Sequence, residues 1–351
     1  MRRKKAKIGR MRPHDEQGSE EFRGLGPPLG PDAAGQRADA FLARRFPFHS
    51  RRVWAETCRA GELLVNGRPV RAGHRLKTGD LLHVFHPLAK EPEVDERIAL
   101  VAEAGGVIAV YKPGNLPMHE AGDYRRRTFG ALLAKRFGPE WHPVHRLDRE
   151  TSGLVLCAAT PALRRRLSEA WEAQQVEKRY LAVARGVTAW ETLAVREAMV
   201  LSRRRGRPVY VTAADGLAAH TEFRVLERAG EATLLGARPR TGRTNQIRVH
   251  AAWTGHALVG DKIYHDDPRV FAAYCADPDG EAVRALAGFP RQALHATALV
   301  VTHPETGREL VAESPLPEDL VGLWASLRSA SWDSGEVQHH QMLVPAASPS
   351  L

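Results

Sequence analysis

Cysteine is scarce in this sequence, and the three cysteines that it contains, Cys58, Cys157 and Cys275, stand far apart. None belongs to a Cys-x-x-Cys pair or to a cluster with histidine, so the sequence predicts neither a disulfide framework nor a zinc site. Long hydrophobic runs are missing too, because no apolar stretch approaches the roughly 20 residues that cross a bilayer. We therefore expect a protein of the reducing cytoplasm with no membrane partner.

The basic start 1-MRRKKAKIGRMRP-13 lacks the apolar segment of a secretory signal, and it contains seven Arg and Lys but no acidic residue. Such a flexible polycation binds phosphate backbones through counterion release, although it also suits a solubilising tail. The whole chain has a net charge of +10. Further basic clusters, with few aromatic residues among them, favour phosphate contacts and a nucleic-acid partner; they are 124-YRRRT-128, 163-LRRRL-167 and 203-RRRGR-207.

Shifts in composition divide the chain into five segments. Residues 1–35 are basic and then rich in Gly and Pro, which predicts a disordered basic tail. A compact unit is expected at 36–86, a linker rich in Pro and charge at 87–96, and a larger domain at 97–325. Residues 326–351 lack clear periodicity and are expected to form a disordered C-terminal tail.

The 36–86 unit has the pattern of two helices, a hairpin and a strand. Ala38, Leu42 and Phe46 share one helical face, and His49-Ser50 can cap a second helix that ends at Gly61. Asn66-Gly67 between short apolar arms is a strong hairpin signal. The pattern predicts a small α+β domain.

The second helix of this unit carries Arg51, Arg52 and Arg59. Together with the order of elements, they make the unit resemble the RNA-binding domain of the ribosomal protein S-four type. The resemblance implies that these three arginines contact RNA. Without it, a small α+β module with an incidental basic face would fit as well.

In the larger domain strands outnumber helices, and short loops join several of them. Apolar strands are expected at 107–112, 154–158 and 179–184, with a hairpin at 221–239. Thr160-Pro161 predicts the start of a helix of about fifteen residues. These features favour an α+β fold with a mixed, largely antiparallel sheet over a doubly wound one.

The stretch 145-HRLDRETSG-153 places five ionisable residues, followed by a threonine and a serine, before the apolar run 154-LVLCA-158. Asp148 is expected where a strand begins, with Thr151 and Ser152 bonding to nearby backbone and Gly153 permitting a tight turn. Taken alone, the pattern favours an Arg–Asp pair that closes a loop, because ion-paired loops are common.

The pattern HRLDxxTSG, however, resembles the catalytic motif of the RluA family of pseudouridine synthases. Other stretches resemble further parts of that family in the same order: 110-VYKPGNLPMH-119, 177-EKRYLAVARG-186, 240-RTGRTNQIRVHAAWTGHALVGDKIYH-265 and 294-LHATALVVTHPETGRELVAESPLPED-319. The resemblance spans about residues 107–320. In this family an N-terminal RNA-binding domain of the type described above is a familiar arrangement.

The resemblance implies that uridine in structured RNA is isomerised to pseudouridine. The N-glycosidic bond is broken, the base is turned, and it is rejoined through ring carbon five, which requires no cofactor and no metal. Asp148 would act as nucleophile or stabilise an oxocarbenium-like species. Arg248 would pair with Asp148 and orient it, bidentately if the geometry permits. Tyr180 would support the flipped base and help to remove the proton from carbon five.

The target nucleotide must leave its stack before a carboxylate can reach it. By the same resemblance, Arg146 would fill the vacated space or hold the phosphate, and Lys112 of the Lys-Pro turn would bind RNA. His145, Thr151 and Asn245 are expected to position the loop. The expected partner is RNA, with large-subunit ribosomal RNA favoured over transfer RNA, and the protein is expected to be a monomer.

The sequence departs from the family pattern in two places. Asn245 stands where the family commonly has His, and because Asn also donates a hydrogen bond, we expect an effect on positioning rather than a loss of activity. In 113-PGNLPMHEAG-122, Gly114 precedes Asn115 where the family has another residue followed by Gly-Leu. The geometry of that loop is therefore expected to differ.

Two other functions fit parts of the sequence. A glycosidase would use paired carboxylates such as Asp148 and Glu150, but on a strand they would lie only ~7 Å apart, and nothing else suggests sugar binding. An RNA-binding assembly factor that holds ribosomal or transfer RNA without modifying it would need only the basic tail and the N-terminal unit. The presence of Asp148, Tyr180 and Arg248 favours catalysis over that alternative.

Overall fold

The computed structural model describes residues 22–46, 49–85, 91–121, 124–278 and 280–330. The chain divides into two compact units, Met1–Glu91 and Pro92–Leu351. Within the described ranges, no helix combines the length and the hydrophobicity that crossing a bilayer requires.

The first unit packs two helices on a four-stranded antiparallel sheet with the strand order β1-β4-β2-β3. A short 3-10 turn at Pro31–Ala33 precedes the first helix. The elements are β1 (Phe22–Gly24), α1 (Ala38–Arg45), α2 (Arg51–Ala60), β2 (Leu63–Val65), β3 (Arg68–Pro69) and β4 (Leu82–Phe85).

Local sequence signals begin and end these elements as predicted. The Ser50 hydroxyl accepts the Val53 N–H at 3.4 Å and caps α2, which ends at Gly61 with a φ of 77°. Asn66 and Gly67 have φ values of 50° and 74°, the two positive angles of a type I′ turn between β2 and β3. The predicted order of helix, helix, hairpin and strand is confirmed.

The boundary between tail and first unit lies earlier than predicted. β1 pairs with β4, the Leu25 N–H donates to the Leu82 carbonyl at 2.8 Å, and Ala33 is fully buried. The prediction of a disordered tail is therefore wrong for residues 22–35, whose short strand and tertiary contacts leave no periodic pattern in the sequence. Residues 1–21 lie outside the described part.

The second unit contains twelve strands and six helices within the described residues. They are β5 (Ala99–Ala104), β6 (Val107–Lys112), α3 (Phe129–Phe137), β7 (His142–Pro143), β8 (Ser152–Ala158), α4 (Pro161–Glu172), β9 (Glu177–Arg185), β10 (Thr192–Val195), β11 (Met199–Arg204), β12 (Arg207–Thr212), β13 (Thr221–Ala229), β14 (Ala232–Pro239), α5 (Gln246–Trp253), α6 (Pro268–Ala276), α7 (Glu281–Ala287), β15 (Leu294–Thr302), β16 (Glu309–Glu313) and α8 (Glu318–Ala330).

Ten of these strands form one sheet with the order β10-β13-β14-β9-β15-β8-β6-β5, while β16 pairs with β15 and β7 with β8. Every pairing is antiparallel except that of β15 with β8. β11 and β12 form a separate two-stranded sheet. The predicted α+β fold with a mixed, largely antiparallel sheet is confirmed.

The central strands are buried on both faces, which explains their uninterrupted apolar sequence. On β8, Val155 and Cys157 pack in a cluster with Phe129 of α3, whereas Leu154 and Leu156 pack in a cluster with Leu163 of α4. α4 begins at Pro161 after the Thr160 cap, as predicted, but its 12 residues make it shorter than predicted.

The outer boundaries of the larger domain also differ from the prediction. The Arg127 Nε lies 3.3 Å from a Glu96 carboxylate oxygen, and Val94 packs against the core, so residues 92–96 belong to the second unit rather than to a linker. At the other end, α8 continues to Ala330, and residues 326–330 are helical rather than disordered. Residues 86–90 and 331–351 lie outside the described part.

Candidate active site

The parallel pairing of β8 with β15 brings two chain segments together at one end of the sheet. The loop 145–151 comes directly before β8, and Gln292 comes just before β15. Since parallel strands begin at the same edge, these two segments become neighbours. Gly153 has a φ of 118°, and a Cβ atom there would overlap the backbone of Ala296 on β15. Only glycine permits this approach.

Asp148 lies in a turn four residues before β8 begins, not at the first residue of the strand as predicted. The Thr151 N–H donates to the Asp148 carbonyl at 3.1 Å, which fixes the turn, and Thr151 is buried. The Asp148 side chain keeps 26% of its surface exposed. The carboxylate is thus held by a short turn and remains open to a ligand.

Arg248, in the first turn of α5, provides the predicted contact with Asp148: its Nη1 donates to the Asp148 Oδ2 at 2.9 Å. The bidentate partner, however, is Asp261, whose carboxylate oxygens accept the Arg248 Nε and Nη2 at 2.7 and 2.9 Å. Asp261 is fully buried. Burial alone would raise the pKa of Asp261, but the Arg248 charge outweighs it and holds that pKa below its usual range.

Gln292 supplies a second donor to the same oxygen of Asp148. Its Nε2 donates to the Asp148 Oδ2 at 3.1 Å and to the Thr151 Oγ1 at 2.8 Å, and the residue is buried. The Asp148 Oδ1 accepts no hydrogen bond from any residue in the described ranges. One oxygen of the carboxylate is therefore tethered by two donors, and the other is left for a reacting atom.

Asn245 completes the tether on the other side of Arg248. Its Oδ1 accepts the Arg248 Nη1 at 3.0 Å, and its Nδ2 donates to the Tyr264 hydroxyl at 3.1 Å. The φ of Asn245 is 59°, a left-handed conformation that asparagine tolerates better than most residues. The Asn245 carbonyl oxygen can therefore orient the arginine.

His145 fixes the start of the loop to the sheet. Its Nε2 accepts the Leu156 N–H at 3.0 Å, and its ring stacks on Trp171 with a centroid distance of 3.9 Å and an interplanar angle of 12°. Burial lowers the pKa of His145 to about 3, so the ring is neutral at physiological pH. The contacts suit positioning rather than acid–base chemistry.

Glu150 is not available as a reacting carboxylate beside Asp148. It is buried, its Oε1 lies 2.5 Å from the Lys262 Nζ, and its Oε2 accepts the Gln292 N–H at 3.1 Å. Both oxygens are thereby used in holding the loop. The rejection of a glycosidase built on Asp148 and Glu150 is consistent with these contacts.

Two cavities adjoin Asp148. The first, of about 310 Å³, is also lined by Tyr180 and Trp171, and the second, of about 320 Å³, by Tyr274 and Met118. Arg146 is exposed and lines both cavities. Burial, and secondarily the Asp148 charge, raises the pKa of Tyr180, so its phenol stays protonated at neutral pH. The Tyr180 ring and the Asp148 carboxylate thus line the same opening.

The sequence is similar to known RNA-modifying proteins over most of its length. A family model described as RNA pseudouridylate synthase matches residues 106–253, and an S4 domain model matches residues 36–82. The chain is 34% identical over 316 residues to "Ribosomal large subunit pseudouridine synthase D" of Xanthomonas campestris, covering 87% of this chain and 93% of that one. The protein with the same name from Xylella fastidiosa is 36% identical over 310 residues, covering 85% of this chain and 91% of that one.

The chain belongs to the RluA family of RNA pseudouridine synthases. The predicted family, the enzymatic activity on uridine in RNA, and the S4-type RNA-binding unit are thereby confirmed. Among solved structures, human RNA pseudouridylate synthase domain containing 4 shares the fold, with a TM-score of 0.51 at 24% identity, covering 65% of this chain and 92% of that one.

The family model covers Asp148, Tyr180 and Arg248 but ends before Asp261 and Gln292. The sequence analysis named neither of these last two. Gln292 contacts Asp148 and Thr151, which lie 144 and 141 positions away, so no local pattern reveals its role. Asp261 carries one signal: it is a single acidic residue between the apolar run 257-ALV-259 and Ile263. An acidic residue in such a setting is expected to have a cationic partner if it is buried.

The position of Lys112 differs from the prediction. It is buried with no exposed surface, and its Nζ donates to the carbonyl oxygens of Pro113, Leu116 and Arg149 at 2.9 to 3.0 Å. A phosphate cannot reach a side chain in this position, so the prediction that Lys112 binds RNA is wrong. The residue joins the Lys-Pro turn to the loop that carries Asp148.

The altered turn after Lys112 has a physical explanation. A Cβ atom at Gly114 would lie 2.6 Å from the Arg291 Nε, so this position has no room for a side chain. Asn115 has a φ of 62° and takes the left-handed conformation. In this chain Gly114 comes first and Asn115 second, the reverse of the family pattern. The turn is still formed because asparagine readily adopts the left-handed conformation.

In the S4-type unit the three predicted arginines differ in their surroundings. The Arg51 Nε pairs with the buried Asp39 at 3.1 Å, and Arg52 forms an exposed pair with Glu56. Arg59 is exposed. Arg52 and Arg59 are seven positions apart on α2 and share a helix face, whereas much of the Arg51 charge is compensated within the unit.

Proposed function

We propose that this enzyme converts uridine to pseudouridine in large-subunit ribosomal RNA, with Asp148 as the catalytic carboxylate. The observation that carries the assignment of Asp148 is its asymmetric tether, in which Arg248 and Gln292 hold Oδ2 and leave Oδ1 without a partner among the described residues. The choice of RNA rests on the names of the curated relatives, which match over most of their length.

The reaction is an isomerisation in which atoms balance within one nucleotide. The bond between N1 and the ribose C1′ breaks, the base turns, a bond between C5 and C1′ forms, and the proton on C5 is lost as N1 gains one. Asp148 lines the first cavity, where its Oδ1 would attack C1′ or stabilise the positive charge that develops on the sugar. Arg248, whose guanidinium is always charged, compensates the charge of the carboxylate in both cases.

Tyr180 supports the base in this scheme. Its ring lines the cavity with Asp148, and its hydroxyl remains protonated at neutral pH. The hydroxyl therefore acts by hydrogen-bonding the base and relaying a proton, not as a phenolate base. Arg146, which is exposed between the two cavities, would fill the space that the target nucleotide leaves in its stack.

We further propose that the enzyme acts as a monomer in the cytoplasm. The three cysteines are free in the structure, as a reducing compartment would require. Size-exclusion chromatography with light scattering tests the oligomeric state, and a mass twice that of the 38.7 kDa chain would contradict the proposal.

The substrate is tested with three unmodified RNA pools made by transcription: large-subunit ribosomal RNA, small-subunit ribosomal RNA and transfer RNA. After incubation with the enzyme, each pool is digested to nucleosides and its pseudouridine is separated from uridine by liquid chromatography. Pseudouridine in the large-subunit pool alone is expected. Pseudouridine in transfer RNA alone would contradict the choice of RNA, and binding without pseudouridine in any pool would support an assembly factor.

A further inference from the structure

The β11–β12 hairpin stands apart from the main sheet and concentrates positive charge. It contains Arg203, Arg204, Arg205 and Arg207 and no acidic residue from Met199 to Thr212. Across the part of the chain that the structure describes, none of these four arginines forms an ion pair with a carboxylate. Four uncompensated charges on fourteen residues require an explanation.

Two of the four arginines hold the hairpin in place. The Arg204 guanidinium lies 4.5 Å from the centroid of the Phe271 ring and donates to the Ile263 carbonyl at 3.3 Å. The Arg207 guanidinium lies 5.2 Å from the centroid of the Tyr274 ring and donates to the Cys275 carbonyl at 3.2 Å. These cation–π contacts and hydrogen bonds anchor the hairpin on α6.

The other two arginines serve no such purpose. Arg203 and Arg205 are exposed at the tip, where the Arg203 Nη1 donates only to the Gly206 carbonyl of its own turn. Arg205 has a φ of 50° and precedes Gly206, at a turn position that favours asparagine or glycine. A left-handed arginine costs roughly 1–2 kcal/mol, so its presence here does not follow from the needs of the turn.

Hydrogen bonds connect the base of the hairpin to the site that holds Asp148. The Tyr210 N–H on β12 donates to the Tyr264 hydroxyl at 3.2 Å, and the same hydroxyl accepts the Asn245 Nδ2. Asn245 in turn contacts Arg248. Ile263 and Tyr274, which anchor the hairpin, also line the second cavity beside Asp148. The tip is therefore carried by an element fixed to the border of that cavity.

We propose that the β11–β12 hairpin is a phosphate-binding arm, and that Arg203 and Arg205 hold the RNA strand beside the target nucleotide. This proposal rests on the proposed function, because it requires an RNA whose uridine enters the site at Asp148. A flipped nucleotide stays joined to its neighbours, so its strand must pass the rim of the site. Guanidinium groups bind phosphate without reading sequence, and exposed arginines on a fixed hairpin suit that task.

The test replaces both tip residues while keeping the turn. Arg203→Gln combined with Arg205→Asn removes two charges, and asparagine suits the left-handed position, so the hairpin itself is not weakened. The matched control is Arg224→Gln combined with Arg308→Gln, two exposed arginines on β13 and in the β15–β16 turn. Neither control residue lines a cavity beside Asp148.

The measurement is the Kd for large-subunit RNA as a function of KCl concentration. Each phosphate contact on a single strand contributes about 0.7 to the slope of log Kd against log salt, so two contacts contribute about 1.4. Raising the salt from about 50 to about 200 mM should then weaken wild-type binding about sevenfold more than binding by the tip variant. The weaker RNA binding of the tip variant should also raise its KM. The variant Arg203→Lys with Arg205→Lys keeps both charges and should retain most of the affinity.

A tip variant with the Kd and salt slope of the wild type would overturn the proposal, as would a control variant that loses as much affinity. Either result would make the arm a solvated surface or a contact for another protein. The binding readout does not depend on pseudouridine formation. If the wild type modifies transfer RNA instead, the proposed substrate fails while the arm is tested on that RNA.

Discussion

Gln292 offers the sharpest test of how the Asp148 carboxylate is held. The substitution Gln292→Met keeps the length and approximate shape of the side chain but removes its hydrogen-bond donor. The Nε2 bond to the Asp148 Oδ2 at 3.1 Å is lost, and so is the bond to the Thr151 Oγ1 at 2.8 Å. Because Gln292 is buried, water does not replace these donors without rearrangement.

The magnitude follows from the charge of the acceptor. A hydrogen bond to a charged group contributes about 1.5–3 kcal/mol, and each 1.36 kcal/mol in a barrier changes a rate about tenfold. If Oδ2 must stay tethered while Oδ1 reacts, kcat should fall by about 10- to 150-fold. The Kd for RNA should stay near the wild-type value, because a buried side chain does not contact the RNA backbone.

The assay is single-turnover pseudouridine formation at saturating RNA, combined with filter binding and a thermal melt. Thr151→Val is the matched control, since it removes the second acceptor of Gln292 and leaves the bond to Asp148 in place. Its melting temperature should fall about as much as that of Gln292→Met, while its kcat should change far less. Equal losses of kcat in both variants would refute the tether, and so would an unchanged kcat in Gln292→Met.

Three further predictions follow from the buried contacts and the exposed arginines. Asp261→Asn leaves an amide facing the Arg248 Nε donor, and breaking such a buried pair costs about 3–5 kcal/mol. The melting temperature should therefore fall by about 6–20 °C. Calorimetry that finds no change would contradict the pairing of Arg248 with Asp261. His145 has its pKa lowered from 6.5 to about 3 by burial, so the unfolded chain binds the extra proton between these pH values. As the pH drops from 6.5 to 3, the free energy of unfolding of the wild type should therefore fall more steeply than that of His145→Gln, by up to about 1.4 kcal/mol per pH unit. If urea unfolding shows the same pH dependence in both proteins, the burial of a neutral His145 is contradicted. The double variant Arg52→Ala with Arg59→Ala should reduce the salt slope of RNA binding by about 1.4–1.8. Arg51→Ala should lower stability more than affinity, because Arg51 pairs with Asp39. Equal salt slopes in the wild type and both variants would remove α2 from the RNA interface.

Local signals predicted much of the fold. The Ser50 cap, the Asn66-Gly67 turn and the Thr160-Pro161 helix start are each determined within a few residues, and each is found in the structure. The strands at 107–112 and 154–158 were visible because both faces are buried and their sequences are continuously apolar. Residues 22–35 escaped prediction because their order depends on contacts with β4 rather than on a pattern of their own.

The site was predicted only in part, because local motifs reveal some of its residues and not others. Asp148 and Arg248 lie in motifs that short stretches of sequence reveal, and the structure brings them within hydrogen-bonding distance. Gln292 reaches Asp148 because β8 and β15 pair, which no local pattern encodes. The role of Gln292 therefore remained hidden. Lys112 was misjudged because the sequence gives no sign that this lysine is buried.

We propose that the Asp148 carboxylate carries the chemistry. The decisive experiment treats large-subunit RNA containing uridine tritiated at carbon five with the wild type or with Asp148→Asn. The amide keeps the size of the side chain but cannot attack C1′ or stabilise a positive sugar. The wild type should release tritium, and Asp148→Asn should bind the RNA with similar affinity and release none. Tritium release by Asp148→Asn at a rate close to that of the wild type would show that another group carries the chemistry.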